Sequence, residues 1–143
     1  MRFLVDTEVV VEVARPNSEQ QVVEWLKAQS PLDIAISVIT LGEIEGMLAV
    51  LPSGRRRSAM DRWIAEDLPR QFQGRVLAID AATAREWGKL AARARLTGRE
   101  LPLVDGLLLA TAAVHDLTLV TRHESDCAAR GVPVFNPWRE KSP

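Results

Sequence analysis

Five short runs rich in apolar residues constrain this chain more than any other feature. They are Phe3 to Val5, Ile34 to Ile36, Val76 to Ile79, Leu117 to Thr121 and Val132 to Phe135. None shows the strict in–out alternation of a half-solvated strand, so each reads as a strand covered on both faces. Segments with helical periodicity separate them, and strands alternating with helices predict an α/β fold with a parallel sheet. The spacing predicts helices over Thr7 to Ala14, from an Asn17 or Ser18 cap to about Gln29, and over Val38 to Leu51 behind a Ser37 cap. Arg55 through Leu68 forms the next, and Asp80 caps a long one to about Thr97 with Gly98 as a left-handed terminator. The last runs from Pro102 to about His115. No repeat, low-complexity tract or linker divides the 143 residues, which are expected to form one domain over 1–143 with a short tail over 138–143.

Charge and cysteine content narrow the chemistry. A net charge of −1 provides no overall attraction for nucleic acid, so any such contact must come from a local basic patch. The single cysteine, Cys127, excludes a disulfide framework and a Cys-rich zinc site. No apolar stretch reaches bilayer-spanning length and the residues before Asp6 are too few for a signal segment, so a soluble cytoplasmic protein is expected.

Four acids stand where such a sheet can bring them to one crevice. Asp6 ends the first strand, and in open α/β sheets ligands bind beyond the strand C-termini. Asp80 also ends a strand and precedes a helix, so position selects two aspartates, and capping is an equally simple use for either. Glu43 lies beside the apolar stripe Leu41, Ile44, Leu48 and Leu51, sharing its own face with Ile39, Gly46, Met47 and Val50; Glu45 points to nearly the opposite side. That helix is apolar nearly all round, which calls for a further cover such as a second copy of the chain. Asp105 sits in the almost unbroken apolar segment Leu101 to Val114, the pattern of a helix buried on every side, where a carboxylate needs a partner or a metal. Asp126 follows the fourth strand in a loop that also holds His123 and Glu124, and either a solvated loop or a turn cap accounts for it equally well.

Carboxylates meeting in one pocket repel one another, and a divalent cation removes that cost. Oxygen ligands select Mg²⁺ or Mn²⁺ over zinc, and such an ion suits hydrolysis of a phosphodiester backbone. No glycine-rich phosphate loop is present, which argues against nucleoside triphosphate binding. Arg85, Lys89 and Arg93 recur every four residues and, with Arg95 and Arg99, make a basic stripe; Arg55 to Arg57 make another. Either can meet RNA phosphates or be a solvated face. Trp25, Trp63 and Trp138 are candidates for an apolar partner groove or for core.

Leu4-Val5-Asp6-Thr7, Ser37 to Glu43, Pro102 to Asp105 with Ala110-Thr111-Ala112, and Val120-Thr121-Arg122 resemble the successive motifs of PIN-domain ribonucleases, in particular the VapC and FitB type toxins. The ending Val134 to Trp138 resembles the FitB-type C-terminus. This resemblance implies a three-layer sandwich with a five-stranded parallel sheet in the order 3-2-1-4-5. It also implies a Mg²⁺- or Mn²⁺-dependent endoribonuclease acting on RNA, a homodimer, and a cognate antitoxin. It assigns first-shell acid roles to Asp6, Glu43 and Asp105, with Asp6 and Asp105 on the metal, and makes Asp80 a helix cap at the sheet edge. Two positions depart from the family pattern. Glu8 stands where Asn or Ser is usual. The fourth acid is ambiguous: many relatives have Asn at the His123 position and Asp at the Asp126 position, whereas FitB-type proteins have their acid at the His123 position; Asp126 is the expected one. These departures keep one alternative in view, a binding or regulatory module without turnover; a DNA-directed nuclease of the same fold is a further reading.

Overall fold

A computed structural model describes residues 1–143. Strand β1 (Phe3–Val5) lies at the centre, flanked by β2 (Ile34–Ser37) and β4 (Thr118–Val120), with β3 (Val76–Leu77) and β5 (Val134–Phe135) at the edges. The order is β3-β2-β1-β4-β5 and every pair is parallel, with Leu4 opposite both Ala35 and Leu119. The edge strands are shorter than their apolar runs. Ile79 lies outside β3 because the chain has left the ladder to reach the Asp80 cap. β5 begins after Pro133, which has no N–H to donate, although its carbonyl still accepts from the Leu119 N–H.

Alternate residues of the central strand feed two cores. Phe3 and Val5 join Val9, Trp25, Ile44, Leu68 and Phe135 on one face, whereas Leu4 joins Leu90, Leu108, Leu119 and Cys127 on the other. Helices α1 (Thr7–Glu12), α2 (Gln20–Ala28), α3 (Val38–Ala49) and α5 (Leu68–Gln71) cover the first face, while α4 (Arg55–Arg62) has no buried residue. The long helix α6 (Ala81–Thr97), α7 (Leu103–Val114) and the short α8 (Glu124–Cys127) cover the second. Each fully buried aliphatic side chain, such as Leu4, Ile36 or Leu119, contributes about 1.5–3 kcal/mol. Trp25 lies edge-on to Phe3 at 5.2 Å, in the core.

Several elements differ from the sequence-based expectation for identifiable reasons. α2 starts at Gln20 with Glu19 as its cap residue, not Asn17 or Ser18. The Glu19 N–H is met by the buried Glu12 carboxylate, whose second oxygen pairs with Arg15, so a neighbouring helix does the capping. Arg55 to Gln71 is not one regular helix: a π-helical turn over Trp63–Asp67 joins α4 to α5. Pro69 has no N–H for the carbonyl four residues back, and the wider turn lets the Leu68 N–H reach Trp63 instead. α7 is not buried all round, since Leu103 is 59% and Val114 40% exposed. Asp105 nevertheless faces inward. Gly106 is what lets α7 approach α6 so closely, because a Cβ there would stand 3.0 Å from the Trp87 ring.

The segment after β5 is tied down. Asn136 accepts N–H groups from Trp138, Arg139 and Glu140, and Gln21 of α2 donates to the Pro137 and Glu140 carbonyls. No helix is long and apolar enough to cross a membrane.

Candidate metal centre

The C-terminal ends of β1 and β4 open into a cleft of about 700 Å³ that is lined by Asp6, Glu8, Glu43, Asp105, His123 and Asp126. Asp6 leaves β1 in an extended conformation and starts α1. Its Oδ1 accepts the Thr7 N–H at 2.7 Å, and its Oδ2 accepts the Thr121 hydroxyl at 2.8 Å. Thr121 is there because Val5 pairs with Val120, which places the next residue of each strand side by side. Burial raises the Asp6 pKa above the ordinary carboxylate value; the bonds from Thr121 and Thr7 oppose the shift, and the nearby Glu43 charge adds to it.

Asp105 enters from α7 as its third residue and is 5% exposed. His123 stands between the acids. Its Nδ1 lies 3.1 Å from Asp105 Oδ1 and 4.0 Å from Asp6 Oδ2, and its Nε2 lies 3.2 Å from Glu8 Oε1. Its backbone N–H donates to Thr121 Oγ1 at 3.0 Å. The Asp105 hydrogen bond is the main cause of a raised His123 pKa; burial opposes it, and the charges of Asp105, Asp6 and Glu8 reinforce it. One ligand atom from each of Asp6, Asp105 and His123 falls within 4.8 Å of the others. Two inward carboxylates with an imidazole at that separation fit a divalent cation, since the negative charge is concentrated where few protein donors reach it.

The other two expected acids lie further out. Glu43 is exposed on the cleft side of α3, with Gly46, Met47 and Val50 beside it, and accepts the Thr7 hydroxyl at 2.7 Å. The Thr7 hydroxyl also lies 3.0 Å from that of Thr40, which anchors α1 to α3. Glu45 does not line the cleft. Asp126 stands exposed on the rim, on α8, outside the cluster of three. The position that meets Asp105 and approaches Asp6 is thus His123, with Glu8 behind it.

Asp80 resembles Asp6 in sequence but not in place. It follows the edge strand by three residues, outside the cleft, and accepts the Thr83 N–H at 2.9 Å, which lowers its pKa. Cys127 is buried and its thiol is pushed up to about 12, so it is neither a nucleophile nor a ligand at neutral pH.

Four of the eight basic residues singled out in the sequence, Arg57, Lys89, Arg93 and Arg99, have partners within the chain. Glu86 lies 3.8 Å from both Lys89 and Arg93. Arg99 donates to the Ser125 and Ala128 carbonyls at 2.7 Å, closing α8, and Arg57 donates to the Leu51 carbonyl beyond α3. On the far side of α1, Val10, Val13, Leu26, Ile34, Trp63 and Phe72 line an apolar groove of about 510 Å³. Trp63 therefore belongs to a groove wall, and Trp138 lies under the Arg122 guanidinium at 5.2 Å.

Sequence reading alone overlooked Thr7, Thr40 and Thr121 and left Glu8 undecided. Thr121 was accessible from strand register, because it follows the residue opposite Val5.

Comparison with known proteins gives a consistent picture. The PIN domain matches residues 3–127. Toxin FitB of Neisseria gonorrhoeae is 33% identical over 96% of this chain and 99% of its own. VapC ribonuclease Y4jK of Sinorhizobium fredii is 31% identical over 95% and 97%, respectively. The crystal structure of FitAcB from Neisseria gonorrhoeae superposes with a TM-score of 0.92 at 33% identity, covering 96% of this chain and 99% of the other. A toxin–antitoxin complex from Klebsiella pneumoniae gives a TM-score of 0.69 at 26% identity, over 94% and 96%.

Proposed function

The chain belongs to the PIN-domain family, and from that premise we propose that it is a divalent-metal-dependent endoribonuclease acting as the toxin of a toxin–antitoxin pair. The observation that carries the reading is the meeting of Asp6 from β1 and Asp105 from α7, far apart in sequence and both buried, with their ligand oxygens within 4.8 Å. These two carboxylates would hold the ion, Mg²⁺ or Mn²⁺. When bound, it supplies charge neutralisation and polarises a phosphodiester oxygen.

The chain's own residues do the rest. Thr121 and the Thr7 N–H fix the Asp6 carboxylate by one oxygen each. The Thr7 hydroxyl fixes Glu43 by Oε1 at the cleft mouth, where this carboxylate is placed to take a proton from an attacking water. Asp126, also lining the cleft, orients that water or the substrate backbone. Asp6→Asn is expected to abolish Mg²⁺-dependent RNA cleavage while circular dichroism stays unchanged; full activity in that variant eliminates the assignment. Competition between single-stranded RNA and DNA separates this reading from a DNA-directed nuclease.

The apolar groove lined by Val10, Leu26, Trp63 and Phe72 is the seat proposed for the antitoxin. A homodimer would cover exposed Val38 and Met47 of α3, Val50 just beyond its end and Leu103 of α7, which light scattering on the purified chain tests. One observation favours a second reading. His123 already engages Asp105 through Nδ1 and Glu8 through Nε2, as expected of a binding module without turnover. Protein that binds its partner but leaves RNA intact across Mg²⁺ and Mn²⁺ titrations supports that reading.

A further inference from the structure

We infer that the metal centre carries a nitrogen ligand, His123 Nδ1, oriented by Glu8, and that the chain therefore prefers Mn²⁺ over Mg²⁺. The inference rests on the reading that Asp6 and Asp105 hold a cation and adds a third ligand of different chemistry.

Three features of the ring lead to it. First, Nδ1 points at two carboxylates, 3.1 Å from Asp105 Oδ1 and 4.0 Å from Asp6 Oδ2. Ionised carboxylates only accept, and a neutral ring has one N–H. When Glu8 takes it at Nε2, the Nδ1 lone pair faces both acids and requires a cation between them. Second, Nε2 lies 3.2 Å from Glu8 Oε1. Imidazoles that bind metal commonly donate the opposite N–H to a carboxylate, which fixes the tautomer and leaves the other lone pair directed at the ion. Glu8 is suited to that task because α1 starts at Thr7, directly after Asp6, and carries Glu8 over the cleft. Third, the His123 backbone N–H donates to Thr121 Oγ1, which itself donates to Asp6 Oδ2. One hydroxyl therefore sets both the inner acid and the base of the histidine, and the two cannot drift independently.

An imidazole in the shell alters metal choice. Mg²⁺ favours oxygen donors, whereas imidazole suits borderline transition metals, whose affinities rise along the series that begins at Mn²⁺. An imidazolium that donates from both nitrogens is the competing explanation of the same contacts. It leaves no nitrogen in the shell of an added ion.

The test uses the purified full-length chain with Mn²⁺ as the only probe. Electron spin-echo modulation of the bound Mn²⁺ is expected to show ¹⁴N coupling from one imidazole. His123→Asp and His123→Gln are expected to lose the coupling, whereas Asp126→Asn keeps it; His123 is 43% exposed, so these variants are expected to fold. Calorimetric competition is expected to show the Mn²⁺-to-Mg²⁺ affinity ratio falling about tenfold in His123→Asp. Glu8→Gln is expected to retain the coupling and weaken Mn²⁺ binding by about 10–100-fold. Bound Mn²⁺ without nitrogen coupling, still abolished by Asp6→Asn, overturns the inference and leaves the acidic metal centre standing. Mn²⁺ binding that is absent, or unchanged in Asp6→Asn, overturns both.

Discussion

Replacing Thr121 by valine isolates one hydroxyl on which the site geometry depends. Thr121 is fully buried, and its Oγ1 accepts the His123 N–H at 3.0 Å and donates to Asp6 Oδ2 at 2.8 Å. Valine keeps the volume and the strand preference, so the change removes polarity and little else. A bond to an ionised group is worth about 1.5–3 kcal/mol net, and leaving the buried Asp6 oxygen without its donor keeps the loss near the upper part of that range. For a domain of this size, about 2–3 kcal/mol corresponds to a drop in Tm of roughly 6–12 °C. Thr121→Ser, which keeps the hydroxyl and gives up a methyl, is expected to cost about 1 kcal/mol, or roughly 3–4 °C. Differential scanning fluorimetry at pH 7, followed by urea unfolding, gives the comparison. The Thr121 bond lowers the Asp6 pKa, so valine moves that pKa further up. The gap between wild type and Thr121→Val is therefore full where Asp6 is ionised and narrows as the pH falls and Asp6 takes a proton. A valine variant as stable as the serine variant at pH 7, or a gap indifferent to acid, would refute the role given to this hydroxyl.

Three further outcomes follow from the same geometry. Because burial raises the Asp6 pKa in the folded chain above its unfolded value, the stability contribution of this group is lost as the pH rises through the folded pKa; ionised Asp6 is a cost at neutral pH. Asp6→Asn is accordingly expected to raise Tm in chelator and to abolish the Tm increase that Mn²⁺ or Mg²⁺ gives the wild type; an unchanged metal-induced shift rules this out. Gly106→Ala places a Cβ 3.0 Å from the Trp87 ring and 3.2 Å from the Leu101 side chain, so these neighbours have to give by a few tenths of an ångström beside the residue next to Asp105. Lower cleavage together with changed tryptophan fluorescence is expected, whereas wild-type values of both contradict the close approach. Cys127, with its thiol at about 12, should react with a thiol reagent at pH 8 only after unfolding in urea, and fast reaction of the native protein would contradict its burial.

Much of the architecture was legible in the sequence because it depends on local signals. Apolar runs without alternation announced a sheet covered on both faces, and the structure places Phe3 and Val5 in one core and Leu4 in the other. The Ser37 and Asp80 caps and the left-handed Gly98 (φ 68°) follow from chemistry within one turn of each helix end. Misread elements were those in which a distant group intervenes. Glu12 of the preceding helix meets the N–H at the start of α2, and Pro69 widens the turn before it instead of ending the helix at once.

For the site, the sequence by itself determined which acids are expensive to bury, and Asp105 in an apolar helix is the clearest case. Tertiary structure alone decided which of them meet. Asp6 and Asp80 have the same local setting, but sheet order puts one at the centre beside Thr121 and the other at an edge with only a helix to cap. Only the folded chain placed His123, not Asp126, against Asp105 and brought Glu8 up behind its ring. Helix and strand signals act over a few residues and are written in order along the chain. A cluster of charges is a matter of a few ångströms between groups that the chain keeps far apart, so it exists only after strand register and helix packing have set those distances.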